Sequence, residues 1–247
     1  MTMHSAISRP VKNKRLSYAE KQAQDRARFQ RATRNHRMTV LQDDGVFRHI
    51  RCAQPGSQAY AFNITTFPGY LAFTGDMGSY VFSRLRDMFE FHRINWDHGA
   101  PCIDYRYWAQ KCEAVDRHSG TDEFNEDHFK EAALRSFWNH AWPDPETRRH
   151  EWTLEIRDII DAEHQDSGEA IRAMMEYGYE TYDALRDRHK TIRPFDDFYE
   201  CGPFTQPSFS LKWACWAIAS TIRDYDLGGD RHTRQAAHDK LVLTGKI

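Results

Sequence analysis

Between Met38 and Thr74 three tight turns cut the chain into four short runs, and that spacing admits few folds. The runs are "MTVL", "VFRHIRCA", "AYAFNITTF" and "YLAFT", separated by Asp43-Asp44-Gly45, Pro55-Gly56 and Pro68-Gly69. Apolar residues alternate within them. Val46, Ile50 and Cys52 share one side of the second run, and Tyr60, Phe62 and Ile64 one side of the third. A period of two marks a half-buried strand, and Gly and Pro supply the turn geometry. Connections this short exclude parallel crossovers, which need about a dozen residues or more. The stretch predicts an antiparallel meander over 38–75. Arg48 is a misfit, a cation on the side the pattern sends inward.

After Gly75-Asp76-Met77-Gly78 the period changes. Val81, Phe82, Leu85, Met88 and Phe89 fall at helical spacing and predict a helix from Gly78 to Arg93 that covers the sheet. More helices follow. One is expected over Tyr105–Val115. Another follows the cap Asn125, with Phe129, Ala133, Phe137 and Ala141 inward. Asp144-Pro145-Glu146 starts a third, filled by Leu154, Ile156, Ile159 and Ile160. Ser167 opens a fourth that runs through Tyr182. A fifth extends from about Ser208 to Gly228-Gly229, and a short last one carries Ala236 and Leu241. The fold class is therefore α+β: a basic helical arm over 1–37, then one domain over 38–247. Its meander occupies 38–75, and 78–247 is mostly helical.

Charge is laid out unevenly. Residues 1–37 hold ten Lys/Arg against two acids, Glu20 and Asp25, a balance of +8. The whole chain has 34 Lys/Arg and 36 Asp/Glu, so the rest carries −10. Within the arm "SYAE" is a capping box that starts a helix at Ser17. The apolar stripe behind it is thin (Tyr18, Ala23, Ala27, Phe29), so the helix is expected to lie loosely on the body. Arg15, Lys21, Arg26, Arg28, Arg31, Arg34 and Arg37 are the candidate contacts to a nucleic acid or an acidic partner, because guanidinium pairs with phosphate and carboxylate alike.

Gly75-Asp76-Met77-Gly78 invites comparison with phosphate loops. The spacing is not that of a P-loop, no Lys follows, and Asp76 repels a phosphate. Gly75, Asp76 and Gly78 are read instead as a structural turn that reverses the chain. Thirteen His raise the question of a metal, yet there is no H-E-x-x-H and no His pair at i,i+4. His238-Asp239 resembles the His-Asp pair of metal phosphohydrolases but lacks the required partners. Asp97-His98 and His150-Glu151 read as surface pairs, and Asp196-Asp197 with Glu200 as a solvated face. No metal and no cofactor are assigned. Five Cys without C-x-x-C read as reduced thiols. The N-terminus lacks the apolar core of a signal peptide, and no membrane partner is expected.

"DDGVFRHIR", "FPGYLAFTGDMGSYVFSRLRDMFEF" and "YWAQKCEAVDR" together resemble a family of uncharacterised proteins encoded by tailed bacteriophages and prophages. The resemblance spans Met38 to about Glu131 and brings a genomic setting rather than a reaction. It implies an accessory protein acting in the bacterial host cytoplasm on host defence or regulation. The leading expectation is a non-enzymatic protein that binds a host protein or ribonucleoprotein complex, in its concrete form blocking a nucleic-acid-guided defence complex as anti-CRISPR proteins do. The alternatives are direct nucleic-acid binding through the arm, and a metal-dependent nuclease or hydrolase whose site the spacing does not reveal.

Overall fold

The computed structural model describes residues 17–183 and 188–228. The expected short helix around Ala236 and Leu241, His238-Asp239, Gly229 and Arg15 lie outside the described residues. The first element is α1 (Tyr18–Thr33), started by the capping box: Ser17 Oγ accepts from the Glu20 amide, and a Glu20 oxygen accepts from the Ser17 amide at 2.7 Å. Five strands follow without interruption: β1 (Arg37–Asp44), β2 (Phe47–Ala53), β3 (Phe62–Phe67), β4 (Tyr70–Gly75) and β5 (Gly78–Ser83). Next come α2 (Met88–His92), a small ribbon of β6 (Trp96–Asp97) and β7 (Ala100–Pro101), α3 (Tyr105–Gln110), β8 (Cys112–Val115) and β9 (Asp122–Phe124). Among the described residues β1-β2-β3-β4-β5-β8 form one antiparallel six-stranded sheet in that order. The α+β class with a leading helix and a meander is therefore correct.

Two predicted helices are each part strand and part helix. The expected helix from Gly78 is β5, because Tyr80 and Phe82 alternate inward while Ser79, Val81 and Ser83 face outward. The apparent helical stripe joined residues of two elements: Val81 and Phe82 belong to the sheet, Met88 and Phe89 to α2. The expected helix over Tyr105–Val115 stops at Gln110, and its end becomes β8, which closes the sheet beside β5. The third run is also shorter than its pattern: Tyr60 sits at φ 58 in the turn and stacks on Trp213, and β3 begins at Phe62.

The remaining elements are α4 (Glu126–Asn139), α5 (Pro145–Glu151), a π-helical turn (Trp152–Ile156), α6 (Arg157–Asp161), α7 (Ser167–Glu176), the hairpin β10 (Tyr179–Asp183) and β11 (Arg188–Ile192), β12 (Thr205–Pro207) and α8 (Phe209–Asp226). Asn125, Asp144 and Ser208 cap α4, α5 and α8, while Asp166 rather than Ser167 caps α7. The fourth predicted helix ends at Glu176, and Tyr182 belongs to β10. Of the apolar residues assigned to the third, Ile156 and Ile160 are buried but Leu154 is exposed.

Two apolar clusters hold the chain. In the first, the inward side chains of β2–β5 meet α8, whose residues from Leu211 to Ala219 are almost all fully buried. In the second, Phe129, Phe137, Ile156, Met174, Phe198 and Phe204 join α4, α6, α7 and the segment before β12. The arm helix belongs to the first. Phe29, 4% exposed, packs edge-on against Trp213 with ring centroids 5.1 Å apart, and also against Trp216 at 5.7 Å. Asp25 pairs with the buried Lys212 ammonium at 2.8 Å. One large aromatic and a buried ion pair thus anchor a helix whose thin stripe suggested only loose contact with the body.

Arg48 is buried on the inner face of β2. Its guanidinium forms two parallel hydrogen bonds to Asp87, at 2.9 and 3.0 Å, and lies 4.5 Å from the centre of the Phe89 ring. Burial raises the Asp87 carboxyl, but Arg48 and the Phe89 amide outweigh it and hold the group below the usual carboxylate range. Removing one partner strands the other charge. Arg48→Ala and Asp87→Ala are each expected to destabilise the fold by about 3–5 kcal/mol, measured by urea denaturation. Arg48→Met, which fills the space without a charge but leaves Asp87 unpaired, is expected to remain clearly destabilising.

His92 is fully buried among Phe82, Phe91 and Trp108, and its Nδ1 donates to the Met88 carbonyl at 2.7 Å. Burial lowers its pKa from 6.5 to about 4, with the Met88 bond opposing. The unfolded chain therefore binds the extra proton between these values, and stability falls as pH drops through that window. A loss of about 3 kcal/mol is expected between pH 7 and pH 4 from this group. Denaturation midpoints of His92→Phe should lose that part of the acid slope, whatever its stability at pH 7.

Candidate functional site

In Gly75-Asp76-Met77-Gly78, Asp76-Met77 is the two-residue connection of the β4–β5 hairpin and Gly75 pairs opposite Gly78. It is not the entrance to a helix. The Asp76 carboxylate accepts the Tyr60 amide at 2.9 Å, and the Asp76 amide donates to the Ala61 carbonyl at 3.1 Å. The carboxylate thereby ties the turn to the segment before β3. A Cβ on Gly75 would stand 2.5 Å from the Ala61 oxygen, and one on Gly78, at φ +107, 2.4 Å from Ser119 Oγ. Gly78→Ala is expected to lower stability by at least about 1 kcal/mol, read from the thermal midpoint.

The structure scatters the arm residues. Lys21 pairs with Asp127, and Arg28 lies over the Phe209 ring at 4.7 Å. Arg26 borders the crevice between α1, Tyr105 and Trp216. Arg31, Arg34 and Arg37 are exposed and form no ion pair among the described residues. Three of the seven candidates, Lys21, Arg26 and Arg28, therefore turn toward the body.

Several other reactive side chains are held in the fold. Among the described residues no three His, Cys, Asp or Glu side chains are grouped to hold a metal ion. Burial pushes the Cys215 and Cys112 thiols up, away from the reactive thiolate. Glu151 accepts the Tyr177 hydroxyl at 2.6 Å, so His150-Glu151 is not simply a surface pair. Burial, with that carboxylate, keeps the Tyr177 phenol protonated. Among the described residues no helix is long and apolar enough to cross a membrane.

The residues of most interest for binding were not singled out by pattern. The cap at Asn125 sets the rotation of α4, and Phe129, Ala133 and Phe137 point into the second cluster. The next residue, Trp138, is 56% exposed. Asp144 accepts from the Glu146 and Thr147 amides and starts α5, which leads into the π-helical turn and Trp152. Phe137 lies beneath three Trp rings: Trp138, Trp142 and Trp152 at 5.2, 5.2 and 5.0 Å. Trp138 and Trp152 lie 6.4 Å apart at 31°, and the Arg148 guanidinium sits 5.1 Å from the Trp138 ring centre. Trp142 Nε1 donates to the Phe137 carbonyl at 2.9 Å, fixing that ring. The π-turn adds one residue per turn and re-aims Trp152, a distortion common at functional sites. The available signal was "FWNHAW": a Trp beside an inward Phe has no inward position left to fill.

No family model, curated protein or solved structure matches the chain.

Proposed function

We propose that the chain is a bacteriophage or prophage accessory protein that acts by binding a host protein or ribonucleoprotein complex in the host cytoplasm. The observation that carries this reading is the Trp138 surface. A half-exposed Trp, held from below by Phe137 and Trp152 and flanked by Arg148, has the composition of an interaction hot spot: aromatic and Arg, rigid before contact. The sequence resemblance over 38–131 supplies the phage setting. The acidic balance of the chain beyond residue 37 favours basic host surfaces such as those that hold nucleic acid. Inhibition of a nucleic-acid-guided defence complex is the concrete form.

A second reading, direct nucleic-acid binding through the arm, is favoured by Arg31, Arg34 and Arg37, which are exposed and form no ion pair among the described residues.

The test is phage plating on cells whose guided nuclease restricts that phage, with and without the chain. Expression is expected to restore plating, and Trp138→Ala to remove the effect while leaving the thermal midpoint within a few degrees. Affinity for the purified complex should fall roughly 30-fold in that variant, the size of a hot-spot truncation. Full protection by Trp138→Ala, or none by the unaltered chain, refutes the reading.

A further inference from the structure

The sheet has an outward face that α8 does not touch. Register places its side chains. Thr39, Arg51, Asn63, Thr74 and Ser79 form one row across five strands. At one end of the face Arg37 and Arg51, with the Thr39 and Ser57 hydroxyls, border a concavity of about 270 Å³. Among the described residues the Arg51 side chain bonds to two neutral amides, Asn63 at 3.4 Å and Gln58 at 2.5 Å. At the other end Phe67 and Tyr70 stack with centroids 5.0 Å apart at 24°, beside the exposed Phe47. There the Gly69 amide donates to the Arg86 carbonyl at 3.0 Å, bringing the β3–β4 turn against the segment of exposed Arg84 and Arg86. None of Arg37, Arg51, Arg84 and Arg86 has a carboxylate partner among the described residues. The paired outward rows of β1–β5 hold one carboxylate, Asp44.

We infer that this face binds single-stranded nucleic acid. The inference extends the arm reading, with which it shares Arg37, onto the sheet. Guanidinium matches phosphate geometry, so the two Arg pairs hold the backbone at the ends of the path. The hydroxyls and amide between them suit sugar and base edges. The Phe67–Tyr70 stack offers a ring face to an unpaired base, as aromatic platforms on open sheets do. Asn63 and Phe67 are four residues apart on β3, roughly 13 Å at the rise of a strand, room for a short run of nucleotides. A duplex keeps its base faces stacked inside and gains nothing from the aromatic end. An acidic protein surface would use the Arg pairs and not the stack.

Fluorescence anisotropy of the full chain with labelled 12-nucleotide oligouridylate, oligothymidylate and a 12-base-pair duplex, over a series of salt concentrations, tests this. Both or either single strand should bind more tightly than the duplex. Arg51→Gln and Arg84→Gln/Arg86→Gln should each weaken binding and reduce the salt slope by about 0.7 for each phosphate no longer neutralised. Phe67→Ser should weaken binding roughly tenfold with the slope unchanged. Trp138→Ala should bind as the unaltered chain does, and thermal midpoints of the exposed variants should be preserved. The proposal is overturned by absent single-strand binding or by duplex preference. It is also overturned if the sheet variants bind normally while Arg31→Gln/Arg34→Gln loses binding, a result that leaves the arm reading standing. Equal competition by oligoglutamate with a silent Phe67→Ser would make the face a protein-docking surface instead.

Discussion

A guanidinium buried inside the sheet dictates how the first half of this chain closes. Arg48 cannot remain on the inner face of β2 without an anion, because an unpaired buried charge costs several kcal/mol. The anion is Asp87, which lies beyond three further strands. The chain must leave β5, bend through Arg84–Arg86 and deliver Asp87 back across the inner face to β2, at the end of the sheet where β5 finishes. Asp87 then does two things at once: it neutralises Arg48 and accepts the Phe89 amide that starts α2. Phe89 and Tyr225 complete the enclosure, and Tyr225 reaches Asp43 at 2.7 Å. One cation thereby joins β1, β2, α2 and α8. Such a pair adds little net stability, yet it favours the placement of α2 that brings Asp87 to Arg48, whose Nε also lies 3.9 Å from Asp43.

The meander was legible because its information is local: turn residues and a period of two decide each strand without reference to the rest. Arg48 was legible only as a conflict, since its solution lies 39 residues away. The helix read into Gly78–Arg93 failed for a physical reason. Spacings of three and four between apolar residues arise both within a helix and between the end of one strand and the start of the next element. Here β5 contributes Phe82 and α2 contributes Met88 and Phe89. Tertiary pairing with β4 then outweighs any helical preference of "SYVFS". The β10–β11 hairpin was hidden in the same way, behind the apolar spacing of α7. The arm helix was underestimated because stripe width measures contact area and not the depth of a single anchor such as Phe29.

The surfaces proposed for binding were less legible than the fold. Outward residues of a sheet are identified only once register is known; Arg37, Arg51, Arg84 and Arg86 have no spacing in common. Trp138 escaped because helical pattern reading tracks the buried side and passes over its neighbours. Its exposure becomes informative when the support below it is seen, since a Trp held by Phe137 and Trp152 has little rotamer freedom left to lose on contact.

The separation of these surfaces follows from the two apolar clusters. The first cluster commits the inner face of the sheet to α8 and α1, and among the described residues its side chains draw nothing from the outward rows. The second cluster orients α4 and the turn at Trp152, and so presents Trp138 from different elements. The seam between them is polar and local: the Phe209 amide donates to Glu123 at 2.9 Å, Ser208 Oγ donates to the Gly120 carbonyl at 2.5 Å, and β9 pairs with β12. Ser208 also caps α8 through the Leu211 amide, so the residue that starts the central helix of the first cluster is the one that ties it to the entry of the second. A seam made of short hydrogen bonds fixes geometry more than it adds apolar burial. It therefore holds α8 and the sheet of the first cluster in a fixed relation to α4 and the Trp152 turn of the second.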